Sequence, residues 1–176
     1  MTKATEGANR KAYLKTKKAF RNILMLNSPF AGAFSYLMIA LVAFWLTYNV
    51  SLLLKLPSYT TPLVSLVGLL LLATGFAFRY LAFRRLMKAN PSILLTYVPE
   101  HFVTEGVYRF SRHPAYLGIV LMLAGALLFG LNLLMAIVLV AAFVILNGFA
   151  THEEKVLAEK FGNAYVIYKH QTRRWL

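Results

Sequence analysis

The chain has 176 residues, of which 59% are hydrophobic and only 14% are charged, and its mean hydropathy is +0.61. A soluble domain carries roughly 25% charged residues. In this chain the charged residues are absent from long apolar runs, which is typical of membrane proteins. Cysteine is absent, which excludes disulfides, thiolate zinc sites and cysteine nucleophiles. We therefore expect an all-α integral membrane protein forming a single domain over residues 1–176, with no metal site.

The basic residues responsible for the net charge of +13 lie mainly at the boundaries of the apolar runs. Basic residues cluster before the first run, between the second and third runs, and after the last one. They are Lys3, Arg10, Lys11, Lys15, Lys17, Lys18 and Arg21; Arg84, Arg85, Lys88, Arg109 and Arg112; and Lys155, Lys160, Lys169, Arg173 and Arg174. Under the positive-inside rule this pattern predicts a multi-pass protein with both termini in the cytoplasm and four spans rather than three. The expected partner of the positive charge is an anionic membrane surface, not a nucleic acid.

The first predicted element is an amphipathic helix over residues 9–26. Tyr13, Phe20, Ile23 and Leu24 fall near one helical face among lysines and arginines, a pattern that favours binding to the cytoplasmic membrane surface. The alternative is a solvated tail. Four transmembrane helices are predicted after it, at approximately 31–54, 63–83, 114–129 and 132–150.

Two features flank these spans on the predicted cytoplasmic side. Arg79 lies one to two turns inside the end of the second span, where it either extends to the interface or faces a polar cavity, and we favour the first. Beyond the fourth span the chain continues from Glu153 as a C-terminal cytoplasmic helix. Its apolar stripe consists of Leu157, Phe161, Tyr165 and Tyr168, with an interruption at Gly162.

The last two spans form a predicted hairpin that brings two polar motifs together. No Asp, Glu, Lys or Arg lies between Ala115 and Thr151, and Gly130-Leu131-Asn132 is the expected turn. At ~1.5 Å per residue, His113 and His152 both lie roughly 27–32 Å from that turn, about one hydrocarbon thickness. We therefore expect the residues around them to converge at one membrane face and to form an active site.

The residues of these two motifs suit the binding of a charged ligand. Arg112 and His113 precede the third span, and the adjacent Glu153 and Glu154 follow the fourth in a chain that has no aspartate. The glutamates either pair with Arg109 or Arg112, or bind a cation such as the ammonium group of a ligand. Together the motifs could hold a zwitterion, with Arg or His on a carboxylate and Glu on an amine.

The spacing of these residues resembles a known family pattern. The segment from Arg112 to Gly118, RHPAYLG, is similar to the R-H-P-x-Y-x-G motif of the isoprenylcysteine carboxyl methyltransferase and phospholipid methyltransferase superfamily. The segment from Val103 to Tyr108, VTEGVY, resembles the V-x-x-G-P-Y element of that superfamily. The run from Glu153 to Tyr168, followed by Arg174-Trp175, is similar to its C-terminal signature.

The resemblance implies an integral membrane methyltransferase that uses S-adenosylmethionine, with a cofactor site built from residues 101–118 and 147–175. The acceptor would be a lipophilic or membrane-resident molecule, either a phospholipid amine, a prenyl-type carboxylate or a small thiol. The cofactor-binding residues carried over from the family are Tyr108, His113, Tyr116, Leu117, Gly118, Glu153 and Glu154. The candidate catalytic residues are Glu154, His113 and Arg112.

Two other interpretations remain open from the sequence. Sterol reductases, which use NADPH, share a similar C-terminal segment but are much longer. A haem-binding or non-catalytic membrane protein would use His113 and His152 as axial ligands at one bilayer face. That scheme leaves Pro114 and the glutamate pair without a role.

Overall fold

The computed structural model describes residues 29–56, 60–89 and 101–176. Within these residues the secondary structure is entirely helical. The elements are α1 (Pro29–Leu53), α2 (Pro62–Ala89), a 3₁₀ turn (Gly106–Arg109), α3 (Pro114–Leu128), α4 (Leu133–Phe161) and α5 (Asn163–Gln171). The predicted amphipathic helix at 9–26 lies outside the described residues. The expected all-α class therefore holds for the part of the chain that the structure describes.

The shortest apolar helix, α3, lies at the centre of the bundle and packs against α1, α2 and α4. Its side chains Met122, Leu123 and Ala126 form the core, with Leu72 of α2 and Met135 of α4 against them. By contrast, large apolar side chains of the outer helices are exposed, as in Trp45 at 62% and Val144 at 63%. This inside-out distribution is what a lipid environment requires, because the outer surface there contacts hydrocarbon rather than water.

Within the part of the chain that the structure describes, three helices are long and apolar enough to cross a membrane, namely those of Phe34–Leu53, Pro62–Ala89 and Leu133–Phe161. The third predicted span corresponds to Pro114–Leu128, whose 15 residues rise only about 22 Å. This is shorter than the hydrocarbon core of roughly 30 Å. The last of the long helices has 29 residues and continues well beyond the predicted end of the fourth span near Ala150, so it carries the glutamate pair on a continuous rigid element.

The helices α2 and α3 run in opposite directions and contact each other through their backbones at two glycine pairs. A Cβ atom on Gly75 would lie 2.6 Å from the Gly118 carbonyl oxygen, and one on Gly125 would lie 2.6 Å from the Gly68 carbonyl oxygen. Each pair is seven residues from the next along both helices, so the glycines share one face. Small residues of this kind let transmembrane helices approach closely.

The hairpin between α3 and α4 turns at the predicted place. Helix α3 ends at Leu128, and α4 begins at Leu133 with Asn132 as its N-cap. The Asn132 side-chain oxygen accepts a hydrogen bond of 2.8 Å from the backbone N–H of Met135, which satisfies one of the free donors at the start of the helix. The Leu131 backbone has a positive φ of 37°, within the four residues that connect the two helices.

Gly162 ends α4 with a φ of 55°, and α5 starts immediately after it. The predicted apolar stripe of the tail then packs around one ring from the loop before α3. The Phe102 ring centroid lies 5.0 Å from that of Phe161, 5.8 Å from that of Tyr165 and 5.9 Å from that of Tyr168. This aromatic cluster fixes the loop and α5 against each other at the end of the bundle that carries both motifs.

The glycine contact yields a stability prediction. In Gly75→Ala the new methyl group would meet backbone atoms of α3 that cannot move unless the helices separate, so we expect the free energy of unfolding to fall by about 1–3 kcal/mol. Thermal unfolding of the detergent-purified protein measures this. Gly148→Ala is the matched control, since a Cβ there meets nothing within 4 Å. Equal stability of the two variants would contradict the close packing.

Candidate active site

The two motifs meet where the hairpin brings its ends together. His113 precedes α3 as its N-cap residue, and Glu153 and Glu154 lie on α4. The His113 Nδ1 atom lies 3.5 Å from Glu153 Oε2, and its Nε2 atom lies 3.3 Å from Glu154 Oε1. The convergence predicted from the lengths of the two apolar runs is therefore present, with one imidazole between the two carboxylates.

The two glutamates have different surroundings because neighbouring residues on a helix point about 100° apart. The Glu154 side chain is only 3% exposed, and that of Glu153 is 51% exposed. Glu154 points into the protein, whereas Glu153 lines a cavity. The two glutamates are adjacent in the sequence but have separate surroundings in the structure.

Glu154 is held by three cationic side chains. Arg174 donates to both carboxylate oxygens, from Nε to Oε1 and from Nη2 to Oε2, each at 2.9 Å. The Arg112 Nη2 atom lies 3.1 Å from Oε1, and Lys169 Nζ lies 3.4 Å from Oε2. The hydrogen bond to Glu154 raises the pKa of Arg174 above its usual value. A bidentate, largely buried carboxylate of this kind is a structural anchor, and it is not free to bind another cation.

The C-terminal segment is tied to the start of α3 by backbone and side-chain hydrogen bonds. The Arg112 backbone N–H donates to the Arg173 carbonyl at 2.9 Å, and the Ser111 hydroxyl donates to the Arg174 carbonyl at 2.9 Å. The Arg112 Nη1 atom also donates to the Lys169 carbonyl at 2.7 Å. The Trp175 ring then packs against the His113 ring at 6.5 Å. These contacts hold residues 173–175 next to the start of α3, with Trp175 beside the His113 imidazole.

Glu153 belongs to a second group of contacts on the cavity side. The Tyr116 hydroxyl donates a hydrogen bond to Glu153 Oε1, and the Tyr116 ring stacks on His113 with a centroid distance of 5.6 Å and an interplanar angle of 6°. Apart from His113, no basic side chain among the described residues pairs with Glu153. The contacts of this carboxylate within the described residues are therefore with His113 and Tyr116, and it lines the cavity.

The cavity has a volume of about 700 Å³ and opens between the two motifs. This is within the range of roughly 300–1,000 Å³ found for small-molecule sites. Its lining is mainly aromatic and apolar, with a few polar groups. The residues that define its character are Tyr108, His113, Tyr116, Glu153, Tyr165 and Tyr168.

The tyrosines of the inner wall are neutral hydrogen-bonding groups. Burial raises the pKa of Tyr165 to about 12, and it raises the pKa of Tyr168 and of Tyr108 further. The Tyr168 hydroxyl donates to the Tyr108 carbonyl at 2.7 Å, which links α5 to the 3₁₀ turn. These rings offer flat apolar faces and hydroxyl groups that stay protonated across the physiological range.

The structure distributes the sequence-predicted site residues over three places. Tyr108, His113, Tyr116, Glu153 and Arg112 line the cavity. Glu154 lies behind the wall of the cavity, paired with Arg112 and Arg174. Leu117 is buried in the core, and Gly118 forms the backbone contact with Gly75. The last two therefore act on the site by packing helix α3, which presents His113 and Tyr116, rather than by facing the cavity.

Arg79 is a cavity residue that was not among the predicted site residues. We predicted that its side chain extends to the membrane interface. Instead the side chain is buried, with 4% exposure, and lines the cavity. The Nη1 atom donates to the Ala115 carbonyl at 3.0 Å, and the guanidinium carbon lies 3.6 Å above the Tyr36 ring. The signal in the sequence was an arginine inside an apolar span, where a charge is costly and is usually functional.

The haem interpretation does not fit the surroundings of His113. Both of its ring nitrogens face carboxylate oxygens, so neither is directed at an axial position of a porphyrin. A haem ligand instead needs one nitrogen on the iron.

Comparison with known proteins agrees with the geometry. The family model described as phospholipid methyltransferase matches residues 63–164, more than half of the chain. A protein-S-isoprenylcysteine O-methyltransferase from Saccharomyces cerevisiae is 34% identical over 126 residues, a region that covers 68% of this chain and 52% of the relative. The chain thus spans about half the length of this relative. The matched family region contains α2, α3, the Arg112–Gly118 motif and the glutamate pair, so the chain belongs to the phospholipid methyltransferase family.

Proposed function

We propose that this protein is a membrane methyltransferase that transfers a methyl group from S-adenosylmethionine to a lipophilic acceptor. The observation that carries the proposal is the aromatic cavity with one available carboxylate, Glu153, formed where the two family motifs meet. The name of the yeast relative extends the proposal to prenylated carboxylates. Phospholipid amines and small thiols are the other classes of methyl acceptor that this proposal includes.

The residues of the cavity fit the charges and shape of S-adenosylmethionine. An adenine ring suits the flat faces of Tyr108 and Tyr116, and an ammonium or sulfonium cation suits the Glu153 carboxylate. When bound, the cofactor supplies an electrophilic methyl group on sulfur. The chain's contribution is to hold donor and acceptor in line and to exclude water, which together provide most of the rate for such a displacement.

The three candidate catalytic residues are better placed to position other groups than to react. Glu154 is held by Arg112 and Arg174, and both nitrogens of His113 face carboxylates. None of these has a free acid or base group directed into the cavity. We therefore propose that His113 orients Glu153, and that Arg112 and Glu154 fix the start of α3. A carboxylate or thiolate acceptor needs no base, whereas an ammonium acceptor would need one such as His152 or Glu153.

We also propose that α3 completes a four-span arrangement with both termini in the cytoplasm. The positive residues of the chain support this orientation, since they lie before α1, from the last turns of α2 to the start of α3, and from the last turns of α4 to the C-terminal segment. Because α3 is enclosed by three longer helices, it does not need to match the full hydrocarbon thickness by itself. The acceptor then enters from the bilayer, and the cavity lies at the cytoplasmic face.

The orientation predicts a labelling pattern, and the absence of cysteine makes single-cysteine variants unambiguous. In intact cells, a membrane-impermeant maleimide should label Lys55→Cys, in the loop between α1 and α2. It should label Gln171→Cys, at the end of α5, only after the membrane is opened. Labelling of both positions in intact cells would contradict the even number of spans.

The cofactor site predicts a specific role for Glu153. In Glu153→Gln we expect the affinity for S-adenosylhomocysteine, measured by calorimetry in detergent, to fall about tenfold, because a charge-assisted contact contributes roughly 1.5–3 kcal/mol. Transfer of labelled methyl groups from S-adenosylmethionine into a membrane lipid extract should fall with it. Glu159→Gln is the matched control, because Glu159 is exposed on the same helix and outside the cavity.

Two results would contradict this proposal. Failure of the folded wild-type protein to bind S-adenosylhomocysteine, both in detergent and in lipid nanodiscs, would exclude the methyltransferase function. Equal losses in Glu153→Gln and Glu159→Gln would show that the effect is a general one of charge and not of the cavity.

The positioning role of Glu154 predicts a stability effect that Glu153 does not share. Removing this carboxylate leaves Arg112 and Arg174 uncompensated, so Glu154→Gln should lose about 3–5 kcal/mol of unfolding free energy. The C-terminal segment should also become sensitive to trypsin at Arg173 and Arg174. Glu153→Gln, at a half-exposed position, should keep nearly the wild-type unfolding temperature and protease resistance. The anchoring role is refuted if the two variants are equally stable.

A further inference from the structure

Arg79 is the cation of the cavity whose charge the described protein does not neutralise. The other arginines and lysine around the site are paired, with Arg112, Lys169 and Arg174 on Glu154, and Arg85 on Glu105 at 3.6 Å. No carboxylate among the described residues lies within ion-pair distance of Arg79. Its surroundings are the Tyr36 ring at 3.6 Å and the Phe83 ring at 4.9 Å, measured from the guanidinium carbon.

The hydrogen-bonding groups of Arg79 are also incompletely used. The Nη1 atom donates to the Ala115 carbonyl, but the buried Nε atom has no hydrogen-bond partner within the described residues. A guanidinium has five N–H donors and binds carboxylate or phosphate oxygens in pairs. A buried, unpaired cation is costly, and an anion that arrives with a ligand would offset that cost.

The position of Arg79 assigns this anion to the acceptor rather than to the cofactor. Its Cβ atom lies 3.0 Å from the position of a Cβ on Gly118, so its backbone is level with the second turn of α3. From there the guanidinium turns back toward the start of α3, where it donates to the Ala115 carbonyl and lies against the Tyr36 ring of α1 and the Phe83 ring of α2. Glu153, which is proposed to bind the cation of the cofactor, lies on α4 and contacts Tyr116 and His113 instead.

We propose that Arg79 binds the anionic group, a carboxylate or a phosphate, of a lipid acceptor and so determines which lipids are methylated. The inference rests on the proposed methyltransferase function and narrows it. An acceptor with an anion near its apolar chain places that anion on Arg79 and its chain among Tyr36, Phe83 and Phe149. A small neutral thiol has no group for this position, which removes it from the acceptor classes.

The test uses full-length protein in detergent and three ten-carbon amphiphiles that differ only in the head group, namely decanoate, decyl phosphate and decanol. Calorimetry should show that the wild type binds at least one anion roughly tenfold more tightly than decanol, the size expected for one charge-assisted contact. The stronger anion identifies the head group as carboxylate or phosphate. In Arg79→Gln this preference should fall to about twofold or less, and in Arg79→Lys it should be reduced severalfold, because the planar fork is lost.

The matched control is Arg84→Gln, which removes the same charge from an exposed position of the same helix and should keep the preference. Affinity for S-adenosylhomocysteine, measured in parallel, should stay within about twofold of wild type in Arg79→Gln, since no contact with that ligand is proposed. Should Arg79→Gln not fold, the reduced anion affinity expected for Arg79→Lys is the deciding measurement.

Four results overturn the inference: no anion preference in the wild type, a preference unchanged in Arg79→Gln, one unchanged in Arg79→Lys, or a selective loss of S-adenosylhomocysteine binding with the anion preference intact. The last would assign Arg79 to the carboxylate of the cofactor. Failure of the proposed function is distinguishable, because the wild type would then bind the anion through Arg79 but would not bind S-adenosylhomocysteine.

Discussion

The buried carboxylate of Glu154 on α4 joins the start of α3 to the C-terminal part of the chain. It receives Arg112 from the start of α3, Arg174 from the C-terminal segment and Lys169 from α5. Arg112 is the most buried of the three cations, and its charge would be costly to bury without this carboxylate. The orientation of His113 depends on this cluster, because the imidazole follows Arg112 directly and rests between Glu154 and Trp175.

A second constraint comes from the glycine contacts of α2 and α3. Because the two backbones touch at Gly75 and Gly118, Arg79 is brought one turn later against the first turn of α3, where it reaches the Ala115 carbonyl. Close helix packing and the placement of a buried cation are therefore consequences of the same small residues. A larger residue at either glycine would move the cation away from the cavity as well as weaken the bundle.

The adjacent glutamates illustrate how one helix separates structure from chemistry. Glu154 binds cationic side chains of the protein itself. Glu153 faces the cavity, with Tyr116 and His113 beside it. Arg79 adds the opposite charge to the lining of the same cavity. The site thus combines a negative group, an aromatic wall and a positive group, a combination that suits the proposed cationic donor and the proposed anionic lipid acceptor.

The sequence by itself determined the membrane class, the hairpin turn and the meeting of the two motifs, because apolar run lengths and the Gly130 turn fix how far each end of a hairpin extends. It also placed Tyr108, His113, Tyr116 and Glu153 in one site through family spacing. Only the tertiary structure decided that Glu154 turns inward, that Gly118 packs against Gly75 and that Arg79 faces the cavity. The reason is that side-chain direction on a helix depends on which neighbour it meets, and the contacts with Arg174, Gly75 and Ala115 that decide these three cases join positions 20 or more residues apart.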